Sequence, residues 1–314
     1  MEYINDTNIT QSVPTVVTLG NFDGLHQGHQ VLIRLTQQIA EQNGLKSVVF
    51  SFFPHPMQLF SKTMFQTILS PEEKRFLIEE MGVSLLVEYP FSQVFADLPP
   101  EEFVRKILFQ EMRCHTIVVG EDYRFGKNGA GDAALLARIG KEVGVDVITV
   151  PFVRYEGEKV SSTAIRQALA EGNLKRANGM LGSAYFVRGV VTGGKQLGRT
   201  IGFPTANVTA PPMKLFPPNG VYATRSLIDG EWYEGVTNVG HNPTVQGIKK
   251  TVETNLFDFS EDIYGHTIQT FFYEFLRPEQ KFSSVEELRR KIAENVMQSK
   301  TYFTQQNGKE RKNI

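Results

Sequence analysis

Val13-Pro14-Thr15-Val16-Val17-Thr18-Leu19 runs directly into Gly20-Asn21-Phe22-Asp23-Gly24-Leu25-His26-Gln27-Gly28-His29-Gln30. The first seven residues are β-branched and apolar and read as a strand, and a helical pattern follows from Gln30 to Glu41. A glycine-rich turn with two histidines three residues apart therefore stands where a strand end meets a helix N-terminus. Unpaired amides at a helix N-terminus bind phosphate oxygens, and Gly24 and Gly28 let the backbone approach them closely. Imidazoles placed there can donate to oxygens that gain charge during phosphorus chemistry. Two zinc-type histidines or two satisfied surface histidines are the alternative readings. No carboxylate or third histidine follows at helical spacing, which weakens the metal reading.

Working outward, further β-branched runs occur at Ser47 to Phe53, Ser84 to Tyr89, Thr116 to Val119 and Val145 to Val150. Between them lie helical patterns. One is opened by Ser70-Pro71-Glu72-Glu73, a capping box with proline at the first helical position. Another follows Pro99-Pro100 and puts Phe103, Val104, Ile107 and Leu108 on one face. The alternation predicts a doubly wound α/β domain with its ligand beyond the carboxyl ends of the strands, at the switch in strand order. After Gly182 the rhythm changes to strands separated by Gly, Pro and Asn turns: Tyr185 to Val191, Gly220 to Ile228, Trp232 to Val239, Thr251 to Phe259 and Thr267 to Leu276. That spacing predicts a small antiparallel barrel. A single helix with a capping box at Ser284-Val285-Glu286-Glu287 closes the chain, and the tail from Thr304 is expected to fray. The domain boundary is expected at 182/183.

The composition agrees with two globular domains. The chain has 314 residues, 41% hydrophobic and 21% charged, with Lys+Arg 33 against Asp+Glu 34 and a formal net charge of -1. That balance argues against a generic polyanion binder and leaves room for a local cationic pocket, so no nucleic-acid partner is expected. Cys114 is the one cysteine, which excludes an intrachain disulfide and a cysteine metal cage. No basic start precedes an apolar core, and the longest apolar runs fall far short of the roughly 20 residues that span a bilayer. The protein reads as cytoplasmic, with no membrane partner.

Gly20-Asn21-Phe22-Asp23-Gly24-Leu25-His26-Gln27-Gly28-His29 resembles the HxGH signature of the nucleotidylyltransferase superfamily, and the surrounding GNFDG resembles bacterial FAD synthetases. Lys159-Val160-Ser161-Ser162-Thr163-Ala164-Ile165-Arg166 is similar to the superfamily's second motif. Gly120-Glu121-Asp122-Tyr123-Arg124-Phe125-Gly126 is similar to a loop after a central strand of the synthetases, which often carry Asn where Asp122 stands. The resemblance implies a Rossmann-like, nucleotidylyltransferase-like domain in which the FMN phosphate attacks the α-phosphorus of ATP, giving FAD and pyrophosphate. Such a displacement calls for positioning and charge neutralisation. It implies His26, His29 and Arg166 as catalytic residues, and Gly20, Phe22, Asp23, Gly24, Gly28, Ser161, Ser162 and Thr163 around the ATP. Phe53-Pro54-His55-Pro56 resembles the segment near the flavin, so Phe53, His55, Asp122 and Phe125 are the implied flavin contacts. Two of these segments have a plainer reading: Phe53-Pro54-His55-Pro56 as a strand ended by prolines, and Ser161-Ser162-Thr163 as an ordinary helix start.

In the second half, Gly193-Gly194-Lys195-Gln196-Leu197-Gly198-Arg199 leads into Thr200-Ile201-Gly202-Phe203-Pro204-Thr205-Ala206-Asn207. Backbone amides of a glycine-rich stretch cradle phosphate, while Thr and Asn supply uncharged oxygens to Mg²⁺. Glu253 shares a strand face with Asn255, Phe257 and Phe259, where an acid is either a rim charge or a partly screened general base. GRxxGFPTAN resembles riboflavin kinases, and the resemblance continues through Gly220-Val221-Tyr222-Ala223, Asn238 to Thr244 and Val252-Glu253-Thr254. It implies a barrel of riboflavin kinase type, with Gly193, Lys195, Gly198, Thr205 and Asn207 at the ATP and Thr205 and Asn207 as Mg²⁺ ligands. Glu253 is the implied base that accepts the proton of the riboflavin 5′-hydroxyl, and known kinases often have His where Asn255 stands. The expected protein is a bifunctional enzyme that makes FMN and then FAD from riboflavin and ATP. Its rivals are a riboflavin kinase with an inactive first half, a non-catalytic flavin- or nucleotide-binding regulator, and a transferase for another phosphorylated acceptor.

Overall fold

The computed structural model describes residues 1–193, 202–209, 211, 213–244 and 247–310. The chain divides into two compact units, Met1–Ser162 and Thr163–Ile314.

The first unit is built on a six-stranded sheet. Its strands are β1 (Glu2–Ile4), β2 (Thr15–Leu19), β3 (Lys46–Phe53), β4 (Leu85–Pro90), β5 (Cys114–Gly120) and β8 (Asp146–Val150), in the order β1-β4-β3-β2-β5-β8. All neighbouring pairs are parallel. Every residue of β2 is buried, as expected of a central strand covered on both faces. The chain moves outward from β2 through β3 to β4 and then returns to β5 on the other side. The crevice at the carboxyl end of β2 is therefore the switch point that the alternation predicted. Strand β1 was not foreseen: three residues on a sheet edge are too few to show an alternation. Two ribbons, β6–β7 (Arg124–Phe125 with Gly131–Asp132) and β9–β10 (Arg154–Tyr155 with Glu158–Lys159), decorate the loops after β5 and β8.

Helix α1 (Gln27–Asn43) begins three residues before its apolar periodicity, because His26 caps it. Helix α2 (Pro56–Phe60) follows β3. The capping box of α3 (Pro71–Glu80) is present in both directions: Ser70 Oγ accepts from the Glu73 amide at 3.2 Å, and the Glu73 carboxylate accepts from the Ser70 amide at 2.8 Å. After Pro99-Pro100, the expected residues Phe103, Val104, Ile107 and Leu108 are buried, but Phe103–Glu111 is wound as a π-helix closed by Met112 N to Ile107 O at 2.9 Å. Apolar spacing over nine residues identifies the buried face and does not distinguish the two windings.

The second unit begins one residue into the helix Ser162–Ala170, and the helix Leu174–Leu181 follows. Asn178 joins them to the barrel, donating to the Phe272 carbonyl at 2.9 Å and accepting from the Tyr185 amide at 2.8 Å. The barrel is closed and antiparallel. It comprises β11 (Phe186–Thr192), β12 (Ala206–Thr209), β13 (Gly220–Ile228), β14 (Glu231–Thr244), β15 (Gly247–Leu256) and β16 (Thr267–Pro278), in the order β11-β12-β15-β14-β13-β16. Strand β12 was hidden in the sequence because its residues read as a ligand loop. Inside, a hydroxyl ladder joins Thr224 to Thr237 at 2.7 Å and Thr237 to Thr254 at 2.8 Å, so that buried polar groups satisfy one another.

The closing helix spans Val285–Glu310. Ser284 Oγ accepts from the Glu287 amide at 3.1 Å, but the Glu287 carboxylate turns to Ser283, accepting from its amide at 2.8 Å and its hydroxyl at 2.7 Å. The helix continues past Thr304, where fraying was expected, and it is anchored by Phe303. That side chain is 1% exposed, with the Arg225 guanidinium 4.6 Å from its ring centroid. None of the described helices is long and apolar enough to cross a membrane.

Candidate active sites

The turn after β2 is held in a backbone conformation that few residues adopt. Phe22 (φ 50°), Gly24 (φ 84°) and Leu25 (φ 44°) are left-handed within four residues. For Phe and Leu this conformation costs about 1–3 kcal/mol each, so the surroundings must impose it. They do so through hydrogen bonds. Asp23 Oδ1 accepts from the amides of Ile68 at 2.8 Å and Leu69 at 3.3 Å, and its carbonyl accepts from Ser162 Oγ at 2.8 Å. Gln30 Nε2 donates to the Leu25 carbonyl at 3.0 Å, and Ser51 Oγ donates to that of Asn21 at 3.2 Å. Phe22 is fully buried and packs beside His29, with ring centroids 5.1 Å apart.

The two histidines lie side by side. Their rings stack at 3.6 Å with 13° between planes. His26 Nδ1 accepts from the His29 amide at 3.3 Å, so the proton of the neutral His26 ring sits on Nε2. Gly28 leaves room for this ring, since a Cβ there would stand 3.3 Å from it and press it aside by a few tenths of an ångström. Burial pushes His26 down to about 4, outweighing a backbone hydrogen bond and the charge of Asp122. Burial and the neighbouring His26 hold His29 well below the ordinary range. Both rings are neutral at pH 7 and act as hydrogen-bonding groups. When the protein unfolds, His26 takes up a proton below about 6.5, whereas the folded ring does so only near 4. Stability is therefore complete above pH 6.5 and falls as the pH drops towards 4, by about 3 kcal/mol at about 1.4 kcal/mol per pH unit. Thermal melts between pH 7 and 5 should show a larger loss for the parent than for His26→Gln. Equal losses would show that folding does not depress the titration of His26.

Beside the turn lies a cavity of about 410 Å³ walled by Asn21, Phe52, Phe91, Phe95, Phe103 and Phe125, among others. Of the four implied flavin contacts, Phe125 lines this cavity and the other three stand elsewhere. Phe53 lies near Arg75, 5.9 Å from ring centroid to guanidinium; His55 caps α2 and stacks on Phe65; Asp122 pairs with Lys159. The remaining cavity aromatics were missed, although their density from Phe91 to Phe103 was a visible signal. In the second motif Ser162 reaches the turn through the Asp23 carbonyl, and Thr163 and Arg166 follow on the helix Ser162–Ala170. Ser161 is half-buried just before that helix.

In the barrel, strand register assembles a row of side chains on the outer wall. Asn207 stands opposite Glu253, Glu253 opposite Asn238, Asn238 opposite Val221, and Val221 opposite Arg277. Directly paired residues share a face, so the five point together. A cavity of about 230 Å³ covers part of this row, walled by Thr205, Asn238, Glu253, Asn255 and Arg277, with Leu288 and Ile292 of the closing helix. Arg277 Nε donates to Asn295 of that helix at 2.9 Å. Asn207 Nδ2 donates to the Thr205 carbonyl at 3.1 Å and lies 3.4 Å from its hydroxyl, which brings the two expected metal ligands together. Asn255 is 9% exposed and donates to the Pro204 carbonyl at 2.8 Å, fixing the segment before Thr205. A second cavity, of about 420 Å³, lies on another side of Thr205 and Asn207, next to Phe259 and Tyr264. Phe257 and Phe259 lie beyond the end of β15. Gly193 follows β11; Lys195 and Gly198 lie outside the described residues.

Among the described residues no group of three or more His, Cys, Asp or Glu side chains could hold a metal ion. Thr205 and Asn207 instead carry uncharged oxygens, the donor type that suits a hard cation carried largely by a nucleotide's phosphates, and it is the Asn207 amide nitrogen that faces Thr205.

Residues 8–164 match the FAD synthetase family and residues 181–303 the riboflavin kinase family. The bifunctional riboflavin kinase/FMN adenylyltransferase of Escherichia coli (strain K12) is 38% identical over 92% of each chain. The protein of the same name from Bacillus subtilis (strain 168) is 35% identical over 94% of each. A crystal structure from Streptococcus pneumoniae, of a protein named for macrolide efflux, superposes with a TM-score of 0.85 at 34% identity, covering 96% of this chain and 99% of that one. With both halves of the chain matched in order, and with relatives this similar along nearly their whole length, the chain belongs to the bifunctional riboflavin kinase/FMN adenylyltransferase family.

Proposed function

We propose that this chain phosphorylates riboflavin to FMN in its barrel and then joins FMN to the adenylyl group of ATP in its parallel-sheet domain, releasing pyrophosphate. The observation that carries the reading is that each unit has its own polar centre beside its own cavity. We place the functional division at 182/183, with residues 1–182 as the adenylyltransferase and 183–314 as the kinase.

In the barrel, Glu253 accepts the proton of the riboflavin 5′-hydroxyl as that oxygen bonds to the γ-phosphorus and the bond to the β-bridging oxygen breaks, leaving ADP. Riboflavin occupies the cavity under the closing helix and ATP the one beside Phe259, with Gly193, Lys195 and Gly198 at its phosphates. Thr205 and Asn207 would hold Mg²⁺, which neutralises phosphate charge when bound. In the first unit an oxygen of the FMN phosphate bonds to the α-phosphorus, and the bond to the bridging oxygen of pyrophosphate breaks. His26, from its Nε2, and His29 serve the ATP phosphates and the oxygens that gain charge. Arg166, Ser161, Ser162 and Thr163 serve the triphosphate, and Gly20, Phe22, Asp23, Gly24 and Gly28 shape the turn that receives it. The flavin ring occupies the aromatic cavity with Phe125, whereas Phe53, His55 and Asp122 stand outside that cavity and are assigned no contact with the ring.

We assign the protein to the cytoplasm, with riboflavin, FMN, FAD and Mg-ATP as its ligands and no nucleic-acid or membrane partner. We do not extend to this chain the macrolide efflux after which the streptococcal protein is named, because the two motif sets account for both units as nucleotide chemistry. Incubating the purified protein with riboflavin and Mg-ATP and resolving the flavins by chromatography should give FMN first and FAD after it. FMN alone would mark the first unit as inactive, and flavin binding with neither product would favour a regulator.

A further inference from the structure

One buried charge cluster stands outside both motif sets. Glu88 on β4 is fully buried and meets two cations from adjacent positions of α3: Lys74 Nζ lies 2.6 Å from Oε1, and Arg75 Nε donates to Oε2 at 2.8 Å. Tyr3 of the edge strand β1 donates to the same Oε2 at 2.9 Å, and Arg75 packs over the Tyr3 ring at 4.8 Å. Burial pushes the Glu88 carboxyl up, and Lys74 and Arg75 pull it further down, so that it stays ionised. Arg75 and Tyr3 suffice to satisfy one oxygen. Lys74 is the member that reaches elsewhere, since its ammonium also donates to Ser51 Oγ at 3.2 Å.

Ser51 is fully buried on β3, and its hydroxyl has one proton. Because Lys74 can only donate, Ser51 accepts from Lys74 and directs that proton to the Asn21 carbonyl, 3.2 Å away. Asn21 is the residue immediately before left-handed Phe22, and it walls the aromatic cavity. The order Glu88, Lys74, Ser51, Asn21 is thus a directed chain of contacts from β4, next to the edge strand, to the entry of the turn that carries His26 and His29. The other anchors of that turn, Asp23, Gln30 and Ser162, belong to the motifs themselves or to α1.

We infer that Lys74 is a positioning residue for adenylyl transfer: held by Glu88, it fixes the Ser51 hydroxyl on the Asn21 carbonyl and so sets the turn that presents the two imidazoles and one wall of the cavity. Lys74 touches neither histidine, so its effect passes through Ser51. The inference rests on the adenylyltransferase reading of the first unit. Charge favours Lys74→Met as a probe, because Arg75 remains to neutralise Glu88. Ser51→Ala is the gentler probe, since it removes only the linking hydroxyl and leaves the ion pair in place.

FAD formation from FMN and Mg-ATP is measured first on the parent, and a parent without this activity would overturn the reading of the first unit. Given an active parent, Lys74→Met and Ser51→Ala should each lower kcat by about tenfold to a hundredfold, as expected of a misplaced reacting geometry, with KM for FMN and ATP little changed. The double variant should lose no more than the worse single one, because both changes cut the same chain. Riboflavin phosphorylation by the same samples should match the parent. If Lys74→Met fails to fold, Ser51→Ala decides the matter by its kcat and KM alone. A folded Ser51→Ala protein with parental kcat, losses that multiply in the double variant, or losses confined to KM would each overturn the inference.

Discussion

Glu253→Gln lowers the rate of FMN formation by about 10²–10⁴-fold, the usual contribution of a general base, while the apparent affinities for riboflavin and ATP change little. The substitution suits the site, because glutamine keeps the size and hydrogen-bonding outline of a side chain flanked by Asn207 and Asn238 on the neighbouring strands. What it removes is the capacity to take a proton. A half-buried carboxylate with no role in the chemistry would lose little on this change, since surface substitutions alter stability and binding by small amounts. FAD formation from supplied FMN should persist in the same sample. Near-parental FMN production by Glu253→Gln would mean that the 5′-hydroxyl is activated in another way.

His29→Ala produces the reverse pattern: FAD formation falls by about two orders of magnitude or more, while riboflavin phosphorylation stays close to parental. His29 is the cleaner of the two histidines to remove. Its backbone amide, which donates to His26 Nδ1, survives the change, so the cap of α1 is retained. Replacing His26 would remove a transition-state donor and a helix cap together. Alanine does take away the ring that stacks on His26 at 3.6 Å, and His29→Asn tests whether a polar group of smaller size restores part of the rate. Parallel kinetics on riboflavin and on FMN would decide the assignment, and equal loss of both activities in a folded variant would refute it.

Much of this organisation was legible because it is local. A β-branched run, a glycine turn and a histidine cap lie within about 20 consecutive residues, and the Ser70–Glu73 box closes over four. The buried face after Pro100 was equally plain, since four apolar residues in six positions leave little choice. What remained hidden depends on residues far apart in the chain. The aromatic cavity gathers Phe52, Phe91, Phe103 and Phe125 from separate elements, and each alone reads as core. The link from Lys74 to Ser51 spans 23 positions, and no spacing rule connects a helix lysine to a strand serine. In the barrel, Glu253 and Asn207 were recognised one at a time, whereas their direct pairing across β12 and β15 follows from strand register. Asn238 reads in the sequence only as part of a motif, and its place next to Glu253 gives that motif a spatial meaning.

The register between β13 and β16 carries a consequence for which residue reaches the barrel's outer row. Thr224 faces Phe272, so an unbroken ladder would set Val221 opposite Phe275. Two irregularities intervene, between Ala223 and Thr224 and between Val221 and Tyr222, and Val221 instead meets Arg277. Each bulge adds one residue to β16, and two additions equal one full side-chain alternation. The strand therefore keeps its inside and outside while advancing its cargo by one place, and a cation stands where an aromatic ring would have been. A single bulge would have exchanged the faces and turned the cation inward. The barrel thus selects the chemistry of its wall by phase, in steps of two residues, and the turns at its ends can change length without disturbing that choice.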